Sequence, residues 1–324
     1  MAPRTARVRA HAKINLSLKV LGRRPDNFHE LRTVFQTIGL HDLLEFQFTP
    51  GRGLAIELDD PLEIPNNLVR RAAEAFCERF AVRGRLEMRL EKRIPAGGGL
   101  GGGSSDAAAV LLTLPALTGR RAGLADLTAI GAGLGSDVPF FLVGGTALGL
   151  GRGEELYPLP EMPSLPLLVL APPVHVSTPE AYRALGRAAL TLDEISSTLK
   201  CLQSFVWQPG NWRAAENDFE DAVFQIHPEL ERWQRKLERS GAHVARLSGS
   251  GAALFGVFPN QSKLQGALPR FRSEPLKVFS TTMISRARYR AGWMRNLRAH
   301  LAESALKEVE WPPRTKYTRR DPSA

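Results

Sequence analysis

The chain has 324 residues, of which 43% are hydrophobic and 23% are charged, and its mean hydropathy is −0.18. This composition is typical of a globular protein and argues against a disordered, fibrous or membrane-spanning one. The 43 Lys and Arg exceed the 33 Asp and Glu and give a net charge of +10, which leaves a nucleic acid or another anionic ligand open as a partner.

Only two cysteines, Cys77 and Cys201, occur, and they lie far apart in the chain. Their spacing excludes a disulfide framework and a structural zinc site, and it indicates a reducing, cytoplasmic location. No apolar run reaches the roughly 18 residues of a membrane helix, and the N-terminal stretch lacks the apolar core of a secretory signal. We therefore expect no membrane partner.

From the N-terminus, the sequence predicts four strands, then a helix, and then a strand that is charged on one face. The strands are predicted at 8–12, 14–18, 34–40, 44–48 and 86–90, with a helix at 68–80 that Asn66 and Asn67 cap. Further along, helices are predicted at 107–114, 124–133 and 219–239, and strands at 143–149, 167–170, 244–247 and 253–257. This mixture predicts an α+β protein.

A proline-rich stretch, 158–166, is the predicted domain boundary. The predicted N-terminal domain is 1–162, the C-terminal domain is 163–298, and 299–324 is predicted to be a mobile tail of mixed charge.

The segment from Gly97 to Gly103 holds six glycines in seven residues, followed by Ser104 and Ser105 at the start of a helix. Glycines let backbone N–H groups converge on a ligand, and a helix N-terminus adds free N–H groups and a positive dipole end. The segment therefore predicts a phosphate site rather than a flexible tether. The Walker pattern is absent, and a GxGxxG match within a polyglycine run is a weak signal for a dinucleotide fold.

Three segments complete a family pattern: AKINL (12–16), GSDVPFF (135–141) and LSGSGA (247–252). Together with the glycine loop, these segments resemble the conserved motifs of the GHMP small-molecule kinase superfamily. The resemblance implies ATP as cofactor and two α+β domains. The first domain would be like domain 2 of ribosomal protein S5, and the second would be a ferredoxin-like α/β sandwich.

The segment PDNFHEL (25–31), together with AKINL, narrows the resemblance further. It implies phosphorylation of the 2-hydroxyl of 4-diphosphocytidyl-2-C-methyl-D-erythritol in the non-mevalonate isoprenoid pathway. The partner would then be a small molecule that carries a cytidine diphosphate group, with no nucleic acid bound. The sequence does not predict an oligomeric state.

The resemblance also implies catalytic roles for Asp137 and Lys13. Asp137 would accept the hydroxyl proton, since a carboxylic acid of ordinary pKa (~3.9) is ionised at neutral pH. From the residues alone, it could equally be a helix N-cap. Lys13 would lie beside the reacting hydroxyl and could pair with Asp137, although an exposed strand lysine is the alternative. Asn15 shares a strand face with Lys13 and would bind the substrate.

The implied binding residues form two groups. The ATP loop comprises Pro95, Ala96, Gly97, Gly98, Gly99, Leu100, Gly101, Gly102, Gly103, Ser104 and Ser105. At the cytidine end, Phe28 and Tyr182 would sandwich the base and His29 would read its edge. Members often have Gly-Tyr-His where this chain has Asn27, Phe28 and His29, so a tyrosine hydroxyl is missing. Without the family, His29 and Tyr182 could equally be structural.

The third motif, at Gly249, Ser250 and Gly251, would lie near the nucleotide; its alternative is a tight turn between strands. The ATP chemistry implies Mg²⁺ as the nucleotide complex. We assign no metal ligand, because Asp106 could equally be a helix cap and no cluster has metal-site spacing.

Two alternatives remain open from the sequence. The first is a GHMP kinase for another alcohol, such as homoserine, mevalonate or a sugar. The second is a nucleic-acid-binding module that uses five arginines with no acidic residue between them: Arg286, Arg288, Arg290, Arg295 and Arg298. No helix-turn-helix, zinc finger or RNP pattern supports the second alternative, so a solvated basic surface is favoured.

Overall fold

The computed structural model describes residues 2–24, 26, 28–186, 212, 215–302 and 311–317. Asn27, Cys201 and the parts 303–310 and 318–324 of the predicted tail lie outside the described residues.

The described strands are β1 (Arg4–Arg23), β2 (His29–Pro50), β3 (Leu54–Asp59), β4 (Gly84–Glu91), β5 (Thr146–Leu150), β6 (Glu155–Pro158), β7 (Pro166–Ala171), β8 (Val244–Leu247), β9 (Leu254–Val257) and β10 (Lys277–Thr282). The α-helices are α1 (Leu68–Arg79), α2 (Gly102–Thr118), α3 (Leu124–Leu134), α4 (Val138–Val143), α5 (Thr178–Leu185), α6 (Phe219–Ile226), α7 (Pro228–Arg239), α8 (Gln261–Ala267) and α9 (Arg286–Leu297). Short 3₁₀ turns follow α8 and α9.

Two sheets organise the chain. In the first, β2 pairs with β1 along one edge and with β4 and β5 in succession along the other, while β3 and β6 lie outermost. The second is antiparallel, in the order β10-β7-β9-β8. The predicted boundary falls between β6, which ends at Pro158, and β7, which begins at Pro166.

Each sheet has a helical layer, and a third core joins the two sheets. In this joining core, Ile14 and Leu16 of β1 pack with Val169 of β7 and Phe255 of β9. Because β1 runs for 20 residues, its second half also reaches the second domain, where Leu18 pairs with the backbone beside Asn217. The two domains are therefore joined by continuous apolar packing.

Several predicted elements differ in the structure. The predicted strands 8–12 and 14–18 are both parts of β1, and the predicted strands 34–40 and 44–48 are both parts of β2. The predicted helix 219–239 is two helices, because Pro228 has no N–H to donate and disfavours a helical conformation at His227. The predicted strand 143–149 begins only at Thr146, since Gly144 and Gly145 have φ of 65° and 77° and end α4 before the strand starts.

The predicted C-terminal domain, 163–298, includes α9, and the structure packs this helix against the first domain. Its apolar stripe, Tyr289, Trp293 and Leu297, is buried in the core of the first domain. After β10 the chain returns to the first sheet, where Ile284 N donates to Thr37 O at 2.9 Å. An i, i+4, i+8 stripe packs on whichever apolar surface the chain reaches, and here that surface is the first domain's.

The described parts of the predicted mobile tail, 299–302 and 311–317, make hydrogen bonds to the first domain. His300 Nε2 lies 2.8 Å from Thr5 O, and Thr315 Oγ1 donates to Ala116 O at 3.0 Å. Trp311 Nε1 donates to Leu142 O at 2.7 Å. These contacts hold 298–302 and 311–317 on the first domain. No helix in the described part of the chain is long and apolar enough to span a membrane.

Candidate active site

Lys13, in the middle of β1, faces Asp137, with Nζ 3.5 Å from Oδ2. Lys13 is only 4% exposed, and its Nζ also donates to Asn15 Oδ1 at 2.6 Å, so both strand residues lie on the face that the alternation predicted. Register shifts between His11 and Lys13 and between Asn15 and Ser17 interrupt the pairing here. Such irregularities re-aim side chains next to sites.

Asn15 is itself fixed by a second hydrogen bond. Its Nδ2 donates to Thr33 Oγ1 at 2.7 Å, and Thr33 Oγ1 donates to Ser17 O at 2.9 Å. Asn15 Oδ1 is therefore oriented toward Lys13. A buried ammonium with a fixed acceptor on one side and a carboxylate on the other presents its remaining N–H toward the space beside Asp137.

Asp137 occupies the N-cap position of α4 but does not act as the cap. Its side chain accepts no hydrogen bond from the first turn. The sequence left capping and catalysis open for this residue, and the geometry leaves the carboxylate free to contact Lys13 and a ligand. At its other end, α4 is followed by Gly144.

The glycine loop packs directly against the third motif. A Cβ at Gly99 would lie 1.9 Å from Ser248 O, so only glycine permits this approach. Ser248 Oγ donates to Gly99 O at 3.0 Å, and Lys13 N donates to Leu100 O at 3.0 Å. The loop is thus bonded both to the strand that carries Lys13 and to the second domain.

The helix after the loop, predicted at 107–114 with Ser104 and Ser105 at its start, begins at Gly102, and it has no acidic residue in its first turn. Its free N–H groups and dipole favour a bound anion. The two serines differ, however. Ser105 is 2% exposed and its Oγ donates to His11 O at 2.6 Å, whereas Ser104 is half-buried. Only Ser104 therefore keeps a hydroxyl toward the cleft.

A buried ion triad beneath the loop escaped the sequence analysis. Lys92 Nζ lies 2.5 Å from Asp42 Oδ2 and 2.8 Å from Asp106 Oδ2. Asp106 is therefore an interior residue of α2 and not a helix cap. Burial raises the pKa of Asp106 to about 7 despite the opposing effect of Lys92. No periodicity links Lys92 at the end of a strand to two distant carboxylates, so sequence alone carried no signal for the triad.

A cavity of about 1050 Å³ opens beside Asp137 and contains the predicted cytidine-end residues Phe28, His29 and Tyr182. Its lining also includes Ser136. Burial raises the pKa of Tyr182 to about 12, and the negative charge of Asp137 adds to this effect. The cavity therefore reaches Ser136, the residue before Asp137, and the charge of Asp137 is felt at Tyr182.

The aromatic residues are arranged differently from a simple sandwich. The His29 and Tyr182 rings stack, with centroids 4.4 Å apart and an interplanar angle of 18°. Phe28 is 52% exposed, and the Arg152 guanidinium lies 4.7 Å from its ring centroid. Burial, with Arg23 nearby, lowers the pKa of His29, so a neutral imidazole faces Tyr182.

The third motif is held by a buried asparagine. Asn217 Nδ2 donates to Leu247 O at 2.9 Å and to Gly249 O at 2.8 Å. Ser250 Oγ lies 3.0 Å from Thr178 Oγ1, at the start of α5. The motif is a turn between β8 and β9, as the alternative predicted, and it also touches the glycine loop.

Within the described residues, no group of three or more His, Cys, Asp or Glu could hold a metal ion. Mg²⁺ is usually bound by one or two carboxylates together with substrate phosphates and water. The half-buried Ser104 hydroxyl at the start of α2 fits an ion that enters with the nucleotide better than an all-protein site.

Comparison with known proteins gives the family. Residues 67–145 match the GHMP kinases N terminal domain, and 210–275 match the GHMP kinases C terminal domain. A 4-diphosphocytidyl-2-C-methyl-D-erythritol kinase of Solibacter usitatus is 49% identical over 97% of this chain and 98% of its own. One from Pelotomaculum thermopropionicum is 40% identical over 84% of this chain and 96% of its own.

Solved structures agree with these matches. A crystal structure of 4-(cytidine 5'-diphospho)-2C-methyl-D-erythritol kinase is 34% identical, covers 86% of this chain and 98% of its own, and superposes with a TM-score of 0.72. A homoserine kinase from Cytophaga hutchinsonii, 18% identical, covers 87% of this chain and 95% of its own with a TM-score of 0.68 and shares the fold. The predicted two-domain α+β GHMP kinase fold is thus confirmed. This chain belongs to the 4-diphosphocytidyl-2-C-methyl-D-erythritol kinase family of ATP-dependent GHMP kinases.

Proposed function

We propose that this chain transfers the γ-phosphoryl group of ATP to the 2-hydroxyl of 4-diphosphocytidyl-2-C-methyl-D-erythritol. The observation that carries the proposal is the 3.5 Å Lys13–Asp137 pair: Lys13 N donates to Leu100 O of the glycine loop, and Ser136, the neighbour of Asp137 in the chain, lines the aromatic cavity. A nucleotide at the loop and a cytidine-bearing alcohol in the cavity would meet at this pair.

In the reaction, the substrate hydroxyl oxygen forms a bond to the γ-phosphorus while the bond to the β-phosphate oxygen breaks and ADP leaves. Asp137 accepts the hydroxyl proton, because it is the carboxylate paired with Lys13 and it makes no hydrogen bond that caps α4. Lys13 stabilises the negative charge that develops on the transferred group, and Asn15 keeps its ammonium oriented.

The loop residues 95–103 and the start of α2 would bind the phosphates through backbone N–H groups. Mg²⁺, when bound with ATP, would neutralise phosphate charge. Ser104, at the start of α2, is the side chain that would hold it, together with the phosphates. The protein's own part is to position the reactants and exclude water.

At the cytidine end, Phe28 supplies an exposed face and His29 supplies a neutral imidazole that can donate and accept. Because His29 stacks on Tyr182, a base that enters between Phe28 and Tyr182 must displace the His29 ring. His29 would then turn to the edge of the base.

The experiment is ATP consumption with Mg²⁺ on 4-diphosphocytidyl-2-C-methyl-D-erythritol, mevalonate and homoserine, for the wild type, Asp137→Asn and the exposed control Asp221→Asn. We expect turnover with the cytidine substrate alone, lowered by about 10²-fold or more in Asp137→Asn and unchanged in the control. Turnover on another alcohol would refute the substrate, and turnover on none would refute the proposed reaction.

A further inference from the structure

A second cavity, of about 160 Å³, lies between β1 and α9, and the proposed reaction does not use it. Three arginines line it: Arg9 of β1 with Arg288 and Arg295 of α9. None of the described residues that line it is acidic. Within the same part of the chain, no salt bridge joins any of these arginines to a carboxylate. The cavity therefore concentrates uncompensated positive charge.

The helix supplies two of the arginines from one face. Arg288, Gly292 and Arg295 follow the spacing i, i+4, i+7, and all three line the cavity. A Cβ at Gly292 would meet no atom within 4 Å, so the glycine leaves open space between the two arginine side chains. This face of α9 is thus a depression with a cationic side chain at either end.

The stability of α9 does not explain why an arginine occupies position 288. It lies in the first turn of α9, where the positive end of the helix dipole disfavours a cation. Its neighbour Arg286 is compensated by Glu161 at 3.1 Å and donates to Gly144 O at 3.2 Å, whereas Arg288 has no such acceptor among the described residues. A ligand of negative charge would supply one.

The histidine that lines the cavity adds no charge of its own. His11 is packed 5.3 Å from His41, and burial lowers the pKa of His11 to about 3, with the charges of His41, Arg9 and Arg288 acting in the same direction. The neutral imidazole of His11 can form hydrogen bonds but carries no positive charge. The positive charge of the cavity therefore comes from the arginines alone.

We propose that this cavity binds a small phosphorylated anion, of the size of phosphate or diphosphate, at a site separate from the glycine loop. Guanidinium groups bind phosphate oxygens in bidentate geometry and suit such a ligand better than lysines do. The volume admits a phosphate or diphosphate group but no nucleotide. The site also adjoins the ATP loop, because His11 O accepts the hydrogen bond from Ser105 Oγ in α2.

The test is isothermal titration calorimetry with inorganic phosphate and with pyrophosphate, at constant ionic strength, on the full chain saturated with a non-hydrolysable ATP analogue. The variant is Arg288→Ala/Arg295→Ala, in which both residues are exposed. The matched control, Arg272→Ala/Arg298→Ala, removes two exposed arginines that do not line the cavity.

We expect one pyrophosphate or phosphate site in the wild type and in the control, and a loss of affinity of about tenfold or more in the cavity variant. Equal weakening in both variants would show diffuse attraction to a basic surface and overturn the proposal. So would a wild type that binds neither anion once the analogue fills the glycine loop. Circular dichroism of both variants checks that they are folded.

Discussion

The hydroxyl of Tyr289 donates a hydrogen bond to the carbonyl oxygen of Phe141 at 2.5 Å. Phe141 lies in α4, the helix whose N-cap position Asp137 occupies. In the same helix, Leu142 O accepts from Trp311 Nε1 at 2.7 Å. The last carbonyls of a helix have no partner within it, so α9 and the segment after it satisfy the end of the helix that positions Asp137.

Tyr289→Phe should lower both stability and turnover. The change removes one hydroxyl from a buried ring and leaves Phe141 O without its donor, which costs about 1–3 kcal/mol of the free energy of unfolding. We expect kcat to fall while the KM for ATP stays unchanged, because α4 moves and the glycine loop does not. Urea unfolding and steady-state kinetics measure the two effects.

The control for this change is Tyr157→Phe, at a ring that is 53% exposed. It should alter neither quantity. If Tyr289→Phe lowered stability and left kcat intact, Tyr289 would be a purely structural residue with no influence on Asp137.

Lys13→Met should retain the fold and lose turnover. Methionine fills a similar volume without the charge. Asp137 therefore loses the cation that lies 3.5 Å from its Oδ2. The negative charge that develops on the transferred group also loses the cation that stabilises it. We expect kcat to fall by about 10²-fold or more. Lys263→Met, at an exposed position of α8, serves as the control for removal of a positive charge. Comparable kcat values in the two variants would contradict the proposed role.

Asp106→Asn should change how stability depends on pH. The pKa of Asp106 is raised to about 7 in the folded state, above the ordinary value of about 3.9, so between these values the folded state holds a proton that the unfolded state has lost. Its contribution to stability is therefore complete below about pH 4 and is lost as the pH rises through 7.

In Asp106→Asn, this loss disappears, and the slope of unfolding free energy against pH between 5 and 7 should become less negative by about 1 kcal/mol per pH unit. Urea unfolding at several pH values measures it. Asp221→Asn, an exposed carboxylate on α6, should leave the slope unchanged. Parallel pH curves for the wild type and Asp106→Asn would contradict the raised pKa.

Phe28→Ala should weaken binding of the cytidine substrate alone. Stacking of a base on an aromatic ring contributes about 1–3 kcal/mol, so we expect the KM for this substrate to rise by roughly 5-fold to 100-fold, with the KM for ATP unchanged. Tyr157→Ala removes an equally exposed ring outside the cavity and is the control. A parallel rise of both KM values in Phe28→Ala would point to a general change in the cleft.

The sequence predicted the features that depend on local pattern. The glycine loop, the alternating strand that carries Lys13 and Asn15, and the helix at Leu68–Arg79 all follow from periodicity or from residue type, and the structure contains them. The GSDVPFF motif also led to Asp137, although the geometry alone removed the capping alternative.

The features that the sequence did not predict depend on residues far apart in the chain. Lys92 meets Asp42 across 50 residues and Asp106 across 14, and no spacing rule predicts such a meeting. The stack of His29 on Tyr182 likewise joins two domains. The packing of α9 on the first domain depends on the direction of the chain after β10, which a helical stripe does not specify.

The hydrogen bond from Trp311 to Leu142 has a consequence for biosynthesis, since 169 residues separate the two partners. Domains generally fold as units while the chain emerges from the ribosome, N-terminal part first. Here the first domain and its Asp137-bearing helix are made early, but the helix receives its final donors only when Tyr289 and Trp311 have been added. We therefore expect a nascent chain to gain phosphoryl-transfer activity only after Trp311 has been added, so that chains shorter than this do not consume ATP.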